Sequence, residues 1–488
     1  AIFKISDILK ATKGQLISDK FFESNIKRIC TDSRSISAGD CFISLIGEEH
    51  DGHDFILDAI KKGASALIVE NENKVPLSCS LPVVKVLSTF NALENLAIYH
   101  RSRFSFSLVT ITGSLGKTTS KELIYSLLST SFNVLKSPKS YNNQIGVPLT
   151  LLELNEKHQM VVMELGANKF GEIEHLSQIT NPDVAVLTCV APCHIEGFGS
   201  IEGVEKAKGE ILAGLKPSGT LIINGDDLAC KRIASKFSGN VIKFGINSDC
   251  EIKATNISSN KSGIFFKLDS EEFFVPIPGV HNIYNILAAI AVAKKFEINL
   301  DKIKSSLNIF KLPQMRLQEK LVVRKNNDKI TIINDAYNSS PKAAIAAAEF
   351  ISNIEGKRKI IILGDMLELG KDSTKFHEEV GKKISEFNID VVFAIGEDAF
   401  FFTEGIKKVF EEIKKPFIEI KENDFEKINI LKKSTFLCYL PLSRNHNKSQ
   451  VENIGQKISQ ILRNEDILLL KASRRMGFEF IQEIIENS

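Results

Sequence analysis

Short apolar runs alternate with segments of helical period along most of this chain. In its middle part the runs are almost continuously apolar, as in SLVTITG (107–113), QMVVMELGA (159–167) and DVAVLTCV (183–190). Strands that are buried on both faces have this continuous pattern, whereas strands with one wet face alternate apolar and polar residues. The sequence therefore predicts an α/β fold whose central sheet is mostly parallel and is covered by helices on both faces.

The alternation falls into three blocks, and 488 residues are enough for about three domains. The first block ends with the helix-like segment STFNALENLAIYHRSRF (88–104). The second contains a β-rich stretch after Gly245 and an apolar helix pattern over 281–296, and it ends within IFKLPQMRL (309–317). We therefore predict domains at residues 1–106, 107–313 and 314–488.

Composition narrows the class of protein. Hydrophobic residues make up 43% and charged residues 25% of the chain, which is typical of packed globular proteins. The net charge of +2 gives no reason to expect nucleic acid as a partner. We see no apolar stretch of the ~18–20 residues that a membrane helix needs, and no signal-peptide pattern at the N-terminus. We therefore expect a cytoplasmic protein without membrane insertion, with reduced cysteines.

The stretch TITGSLGKTTSKE (110–122) joins an apolar strand to a predicted helix through a glycine turn. Such a turn brings backbone N–H groups and the positive end of a helix close to an anion. Lys117 can reach the β- and γ-phosphates of a nucleotide, and the Thr118 hydroxyl can bind Mg²⁺. The motif is shorter than the full phosphate-loop pattern, but a mere strand–helix turn needs no lysine before two threonines. The turn predicts that a nucleotide is held by Gly113, Ser114, Leu115, Gly116, Lys117, Thr118 and Thr119.

A carboxylate stands at the end of the apolar strand in VVMELGA (161–167). Glu164 has the chemistry of a Mg²⁺ ligand, because this ion prefers carboxylate and phosphate oxygens. A simple strand-end charge is an equally good interpretation of Glu164 taken alone.

Further stretches carry more specific patterns: TDSRSISAGDCFISLIGEEHDGHDF (31–55), SYNNQIGVPLTLLEL (140–154), MELGANKFGEIEHL (163–176), APCHIEGFGSIEGVEKAKGEI (191–211), GVHNIYNILAAIAVA (279–293), INDAYNSSPKA (333–343), LGDMLELGKDSTKFH (363–377) and LLLKASRRM (468–476). Together with the phosphate turn, they resemble the Mur ligase family over essentially the whole chain. The resemblance implies an N-terminal domain for the UDP end of the substrate, a central ATP-binding domain and a C-terminal Rossmann-like domain.

The resemblance also implies ATP-driven amide formation. In this family the γ-phosphate is transferred to the terminal carboxylate of the substrate, and an amine then attacks the acyl phosphate. Phosphate is needed because a carboxylate is a poor electrophile at neutral pH. GDMLELG…H, DAYN..P and MELGA…GEI favour the family member that joins D-alanyl-D-alanine to UDP-N-acetylmuramoyl-tripeptide over members that add earlier amino acids. A monomer is the family expectation.

By this resemblance, two Mg²⁺ ions assist the reaction. Thr118 and Glu164 hold one ion, and His194 serves the second, although a lone histidine is more often structural. Lys208 matches the lysine that CO₂ carbamylates to give an anionic, metal-bridging group. Lys206 is its close competitor, and spacing alone would make either lysine a solvated helix residue.

Other matched positions concern the nucleotide. Asn282 would face the adenine, and Asp335 would bind the ribose unless it only caps a helix. Arg316 would reach the phosphates once the domains close by hinge motion. Asn143 would lie near the γ-phosphate with Asn142 beside it, unless the pair only forms a turn.

The remaining matches concern the other substrates. They are Ser33, Arg34 and Gly47 for the UDP end, with His53 as a further candidate, and Tyr337 and Asn338 beside the D-alanyl-D-alanine pocket. Arg474 would bind a substrate carboxylate or form a surface salt bridge. The chain departs from the family pattern at YNSSP (337–341), where YNANP is usual, and at Cys189 and Cys193, where Asn and Ala are usual.

Three other functions stay open at this point. A sister Mur ligase would add a single amino acid. A folate polyglutamylating ligase shares the short phosphate turn, but it has no place for the N-terminal block. A non-catalytic nucleotide-binding protein need not keep the reactive residues together, and here they are all present.

Overall fold

The computed structural model describes residues 3–18, 25–47, 49–247, 249–260, 262–354, 358–430 and 434–488. Within them, three large sheets follow one another along the chain, and helices pack on their faces. Most strand pairs in these sheets are parallel. The predicted α/β class is confirmed.

The N-terminal part carries a small mixed sheet. Its strands are β1 (Phe3–Lys4), β2 (Gln15–Leu16), β3 (Asn25–Ile26), β4 (Arg28–Cys30), β5 (Asp40–Ile43), β6 (Ala66–Val69) and β7 (Val83–Lys85), and its helices are α1 (Ile5–Thr12), α2 (Ile56–Lys61) and α3 (Thr89–Arg101). The strand order is β2-β7-β6-β5-β4, with β4 to β7 parallel and β2 antiparallel to β7. Strands β1 and β3 form a separate antiparallel pair.

The central part carries the largest sheet. Its strands are β8 (Ser107–Thr112), β9 (Val134–Lys136), β10 (Met160–Glu164), β11 (Val184–Leu187), β12 (Thr220–Asn224), β13 (Asn240–Gly245), β14 (Ile252–Asn260), β15 (Gly263–Leu268) and β16 (Glu271–Val275). Its helices are α4 (Lys117–Leu128), α5 (Gly146–Leu151), α6 (Glu172–Thr180), α7 (Ile195–Phe198), α8 (Ile201–Gly209), α9 (Leu228–Ala234), α10 (Asn282–Lys295) and α11 (Leu300–Asn308).

The order of the central sheet is β9-β10-β8-β11-β12-β13-β14-β15-β16. It is parallel from β9 to β14, and β14 to β16 add an antiparallel edge. The β-rich stretch expected after Gly245 forms this edge. Helix α10 is apolar on nearly all sides because it packs against both α4 and the sheet.

The C-terminal part repeats the α/β arrangement. Its strands are β17 (Gln318–Val323), β18 (Lys329–Asn334), β19 (Lys359–Gly364), β20 (Val391–Ile395), β21 (Phe417–Ile420), β22 (Thr435–Leu440) and β23 (Ile467–Lys471). Its helices are α12 (Pro341–Ser352), α13 (Ser373–Ile384), α14 (Phe400–Glu412), α15 (Lys427–Ile430), α16 (Lys448–Ile461) and α17 (Phe478–Glu486). The order is β17-β18-β23-β19-β20-β22-β21, and only the edge pair β17–β18 is antiparallel within the described residues.

The N-terminal part is packed onto the central part. Leu93 of α3 belongs to the same hydrophobic core as Val147 and Leu151 of α5. Beside this core, Glu94 Oε1 lies 2.7 Å from His175 Nε2. The relative placement of the two parts therefore depends on buried apolar area as well as on polar contacts at its rim.

Lys121 of α4 is a buried cation that fixes the segment leading into the Ser140–Asn143 turn. Its side chain is fully buried, and Nζ donates hydrogen bonds to the carbonyl oxygens of Ser137 (2.8 Å) and Lys139 (2.6 Å). We expect Lys121→Met to lower the free energy of unfolding of the central part by about 2 kcal/mol, because buried carbonyl groups lose their donor. Urea denaturation measures the change.

The matched control is Lys253→Met, at an exposed lysine of β14. It should leave the unfolding midpoint where it is. Equal midpoints for the two variants would contradict a structural role of the Lys121 ammonium.

Candidate active site

A cavity of ≈ 1120 Å³ lies between the central and C-terminal sheets. Residues that follow β8, β10, β11 and β12 line one side, and residues that follow β18, β19 and β23 line the other. Open parallel sheets bind ligands at the carboxyl ends of their strands. The predicted residues in the lining are Ser114, Leu115, Gly116, Lys117, Thr118, Thr119, Asn142, Asn143, Glu164, His194, Lys208, Asn282, Arg316, Asp335, Tyr337, Asn338 and Arg474.

The predicted phosphate turn leads from β8 into α4 and depends on two glycines. Gly113 has φ +142°, and a Cβ there would lie 2.0 Å from Thr188 Oγ1. Gly116 has φ +80°, and a Cβ there would lie 2.1 Å from Asn285 Oδ1. Side chains cannot fit at either position without moving a neighbour. Lys117 Nζ donates to the carbonyl oxygen of Gly113 at 2.8 Å, so the ammonium lies over the turn.

A hydrogen-bonded chain runs across the cavity floor. Arg316, beyond α11, donates from Nη2 to Thr118 Oγ1 at 2.9 Å. The Thr118 hydroxyl donates to Glu164 Oε2 at 2.8 Å, and Asn142 Nδ2 donates to Glu164 Oε1 at 2.9 Å. Glu164 is only 2% exposed, and each of its two oxygens accepts a hydrogen bond from a protein side chain. The strand-end carboxylate and the helix-start hydroxyl therefore form one polar unit.

Lys208 of α8 differs sharply from its sequence competitor Lys206. Lys208 is 1% exposed, whereas Lys206 is exposed to solvent. Within the described part of the chain, the Lys208 ammonium makes no hydrogen bond or ion pair, and it lies 5.6 Å from the centre of the Phe198 ring. Burial, helped by the nearby charge of Lys117, lowers the pKa of Lys208 to about 8. A neutral amine is therefore accessible to this side chain near physiological pH.

The central and C-terminal parts touch across the cavity. His194, just before α7, lies with its Nδ1 directly against the carboxylate of Glu368, which lies after β19. The Arg316 guanidinium lies 4.7 Å from the centre of the Tyr337 ring, and the Tyr337 hydroxyl contacts Ser140 Oγ. Arg316, which we expected to reach the phosphate turn once the domains close, already contacts Thr118 in this structure.

Asp335 at the end of β18 is held by its own part of the protein. Lys471 Nζ donates to Asp335 Oδ2 at 2.6 Å, and the Leu317 N–H donates to Asp335 Oδ1 at 3.1 Å. Lys471 also donates to the carbonyl oxygen of Asn338 at 2.8 Å. Lys471 thus fixes the strand end and the turn after it as a unit.

Two predicted residues make local contacts that match the structural alternatives. Asn143 Oδ1 accepts hydrogen bonds from the N–H groups of Ile145 (3.2 Å) and Gly146 (2.9 Å), as in an Asn turn. Arg474 forms an ion pair with Glu479 at 3.1 Å. Both still line the cavity, so their proposed ligand contacts compete with these local ones.

The predicted UDP residues lie in the N-terminal part and are not in the lining of this cavity. Ser33 is buried, and Arg34 is highly exposed and paired with Asp32. Gly47 follows β5. His53 is structural: its Nε2 accepts the N–H groups of Glu70 (3.0 Å) and Asn71 (3.2 Å). Position 48 of this motif lies outside the described residues.

Sequence reasoning missed several lining residues. Asn285 donates from Nδ2 to Asn282 Oδ1 at 2.9 Å and accepts from Ser120 at 3.1 Å. Asn285 lies three residues after Asn282 in α10, so the two side chains share one helix face. This spacing is a sequence signal that could have revealed Asn285. The buried hydroxyls of Ser339 and Ser340 also line the cavity. They carry no comparable signal, because serine is common before a helix.

The fold is that of an α/β protein with a large cavity between two of its sheets, beside the glycine turn between β8 and α4. Three family descriptions match the chain in succession: "Mur ligase family, catalytic domain" over residues 25–101, "Mur ligase middle domain" over 111–293, and "Mur ligase, glutamate ligase domain" over 315–474. The three-domain Mur ligase fold expected from the sequence is confirmed.

Among similar proteins, the UDP-N-acetylmuramoyl-tripeptide–D-alanyl-D-alanine ligase of Bacillus subtilis is 32% identical over 99% of this chain and 98% of the relative. The enzyme of that name from Escherichia coli is 36% identical over 76% of this chain and 81% of the relative. A crystal structure of MurF from Acinetobacter baumannii, 28% identical, superposes with a TM-score of 0.83 over 99% of this chain and 98% of that one. MurF ligase from Thermotoga maritima in complex with ADP, 26% identical, gives 0.74 over 96% and 98%. The chain belongs to the Mur ligase family.

The crowding at Gly116 generates a prediction. We expect Gly116→Ala to abolish detectable ADP binding, because its Cβ would overlap Asn285 Oδ1 and displace the turn. Isothermal titration calorimetry measures the affinity.

Gly171→Ala is the matched control, since Gly171 has a similar φ of +83° and nothing lies within 4 Å of its added Cβ. It carries the same backbone strain without the overlap, and it should bind ADP like the unmodified protein. If Gly116→Ala also binds ADP normally, the turn is not the phosphate site.

Proposed function

We propose that this protein joins D-alanyl-D-alanine to UDP-N-acetylmuramoyl-tripeptide at the expense of ATP, which gives the pentapeptide precursor of peptidoglycan. The observation that carries the proposal is the meeting of the glycine turn, Glu164, Lys208 and the C-terminal residues Asp335 and Tyr337 around one cavity. Relatives that bear the name of this activity are similar over up to 99% of the chain. A ligase of this class must bring a nucleotide and two further substrates together at one site. The cavity between the central and C-terminal parts is large enough to be that site.

ATP is expected to lie with its phosphates on the turn at the start of α4. The Lys117 ammonium and the free N–H groups of the first helical turn supply positive charge there. Lys117 would exchange its bond to the Gly113 carbonyl for bonds to phosphate oxygens. Arg316 adds a second cation from the start of the C-terminal part, and Asn282 and Asp335 are proposed for the adenine and the ribose.

The residues of the site fit Mg²⁺. Thr118 and Glu164 present a hydroxyl and a carboxylate beside the phosphate turn, and Mg²⁺ combines such ligands with phosphate oxygens and water. Among the described residues, no group of three or more His, Cys, Asp or Glu side chains could hold a metal ion. The donor set therefore suits an ion shared with a nucleotide. Such an ion would neutralise charge on the transferring phosphoryl group.

Lys208 and His194 are proposed to serve a second Mg²⁺. The buried Lys208 amine attacks CO₂ through its nitrogen lone pair, an N–C bond forms, and one proton passes to solvent. The product is a carbamate, which converts a buried cation into an anion with two oxygen ligands. The lowered pKa of the Lys208 amine supports this proposal, because only the neutral amine is nucleophilic.

The reaction proposed for the site has two steps. A carboxylate oxygen of the tripeptide attacks the γ-phosphorus, and the bond from that phosphorus to ADP breaks. The amine of D-alanyl-D-alanine then attacks the acyl carbon, phosphate leaves with the C–O bonding electrons, and the nitrogen loses a proton. Lys117 and Arg316 hold the phosphates in line, and Asn142 and Asn143 border the acceptor side. Tyr337, Asn338 and Arg474 are proposed for the dipeptide.

Three further expectations stay proposals. The domain division at 106/107 and 313/314 is supported by the sheets, which begin and end on either side of these positions. Ser33, Arg34 and Gly47 are proposed for the UDP end. We also propose a monomer, as is expected for the family. Its proposed location is the cytoplasm, because the reaction consumes ATP and a UDP-linked substrate. Within the described residues, no helix is long and apolar enough to cross a membrane.

Lys208 provides a direct test of the carbamate. We expect Lys208→Arg to fold but to be nearly inactive, because a guanidinium cannot form the carbamate. Lys206→Arg, two residues away and exposed, should keep full activity. Phosphate release with all substrates measures both, and thermal unfolding checks the fold.

The rate should also depend on dissolved CO₂ and on pH. The folded pKa of about 8 means that the amine becomes mostly protonated as the pH falls below 8, so carbamylation weakens on the acid side. Degassed buffer at pH 7 should slow the enzyme and bicarbonate should restore it. Insensitivity to bicarbonate together with an active Lys208→Arg variant would contradict the carbamate.

The proposed function itself is tested by phosphate release with Mg-ATP and UDP-N-acetylmuramoyl-tripeptide, with and without D-alanyl-D-alanine. Release that requires both, with a product heavier by the dipeptide, supports the proposal. Release that follows a single amino acid instead makes the protein a sister Mur ligase. Binding of ATP without release for any acceptor makes it non-catalytic.

A further inference from the structure

The loop after β19 crosses from the C-terminal part to the turn that carries His194. Glu368 contacts this turn twice: its carboxylate lies directly against His194 Nδ1, and its carbonyl oxygen accepts the N–H of Glu196 at 3.2 Å. Gly370 follows with φ +64°, where an added Cβ would lie only 3.5 Å from the Glu196 backbone. The two parts of the protein therefore meet backbone to backbone at this point.

The loop is fixed firmly to its own sheet. The Met366 N–H donates to His377 Nε2 at 3.0 Å, and the Leu367 N–H donates to Ser473 Oγ at 2.9 Å. Burial lowers the pKa of His377 to about 4, so this histidine is neutral and its Nδ1–H donates to the Ser373 carbonyl oxygen at 2.7 Å. Glu368 consequently moves with the C-terminal part as a rigid unit.

Glu368 itself has a left-handed backbone with φ +66°. A non-glycine residue in this region costs about 1 kcal/mol or more. The conformation persists because the N–H groups of Met366 and Leu367 are held by the C-terminal part, and the carbonyl oxygen of Glu368 is held by the N–H of Glu196. It also turns the carboxylate away from its own sheet and towards the central part.

We propose that Glu368 is a positioning residue for His194: its carboxylate accepts the Nδ1–H, which leaves Nε2 unprotonated and oriented towards a divalent cation. The inference rests on the proposed role of His194 as a metal ligand. Histidine ligands commonly donate their second ring N–H to a carboxylate, which fixes the tautomer and ring orientation. Here the carboxylate belongs to a different domain from the histidine.

This arrangement couples the metal to the arrangement of the domains. His194 is correctly oriented only while the C-terminal part lies against the central part. By linkage, a cation bound at His194 must favour the same closed arrangement to the same extent. The contact between Glu368 and His194 thus lets the site bind its second cation tightly only after closure.

The test titrates Mn²⁺ in the presence of ADP and measures, by electron paramagnetic resonance, the affinity of the second of the two proposed cation sites. We expect Glu368→Ala to weaken Mn²⁺ binding about 10- to 100-fold, and Glu368→Gln, which still accepts one hydrogen bond, to weaken it less. ADP affinity in EDTA should not change. Glu196→Gln is the matched control, because it removes a negative charge two residues from His194 on an exposed side chain and keeps the backbone N–H.

A second readout separates positioning from general stability. Nitrogen-15 NMR of labelled imidazoles should show His194 with its proton on Nδ1 in the unmodified protein and a mixture of tautomers in Glu368→Ala. Circular dichroism verifies that the variants fold.

The outcomes are distinct. If His194→Ala loses Mn²⁺ affinity but Glu368→Ala does not, the positioning role is wrong and the metal role of His194 survives. If His194→Ala binds Mn²⁺ normally, the proposed metal ligand is wrong and this inference is overturned with it. If Glu196→Gln weakens binding as much as Glu368→Ala, the effect is one of net charge and overturns the inference.

Discussion

The hydrogen bonds from Arg316 through Thr118 to Glu164 are the interaction on which the site depends. Thr118 stands at the start of a helix, Glu164 at the end of the neighbouring strand, and Arg316 at the entrance to the C-terminal part. One hydroxyl therefore contacts a carboxylate from the central sheet and a cation from the start of the C-terminal part. A nucleotide bound at the phosphate turn, as proposed, would act directly on these hydrogen bonds and so on the contact between the central and C-terminal parts.

The burial of Lys208 is a different constraint, because burying a lysine ammonium lowers the stability of the folded protein. Its pKa of about 8 against the ordinary 10.5 means that the protonated form is disfavoured by about 3 kcal/mol in the folded protein. Below pH 8 the folded protein holds the protonated amine at this cost. Between pH 8 and 10.5 the folded protein has lost the proton while the unfolded chain still binds it, so the free energy of unfolding should rise with pH in this range. Among the described residues no counter-ion pairs with Lys208, and such burial makes physical sense if the site uses the neutral amine, as the proposed carbamate requires.

Particular residues show how far the sequence could lead. The phosphate turn could be predicted because its glycine spacing, lysine and threonines are local requirements of one strand–turn–helix unit. From the sequence alone, Glu164 is equally well interpreted as a metal ligand or as a strand-end charge. The structure places it in the cavity lining, in contact with Thr118 and Asn142. The choice between Lys206 and Lys208 rested on resemblance, whereas burial now separates them. Glu368 was not foreseen, since its partner lies on another domain and no local pattern connects the two.

The sequence by itself determined the α/β class, the parallel central sheet, the strand–glycine turn–helix unit at residues 110–122 and the family. These follow from patterns within one strand, one turn or one helix, where the physics is local and the spacing of residues is decisive. Only the tertiary structure decided which side chains meet across the cavity. The reason is physical: contacts between domains depend on the packing of whole sheets against one another, and that packing is not encoded in any single stretch of the chain.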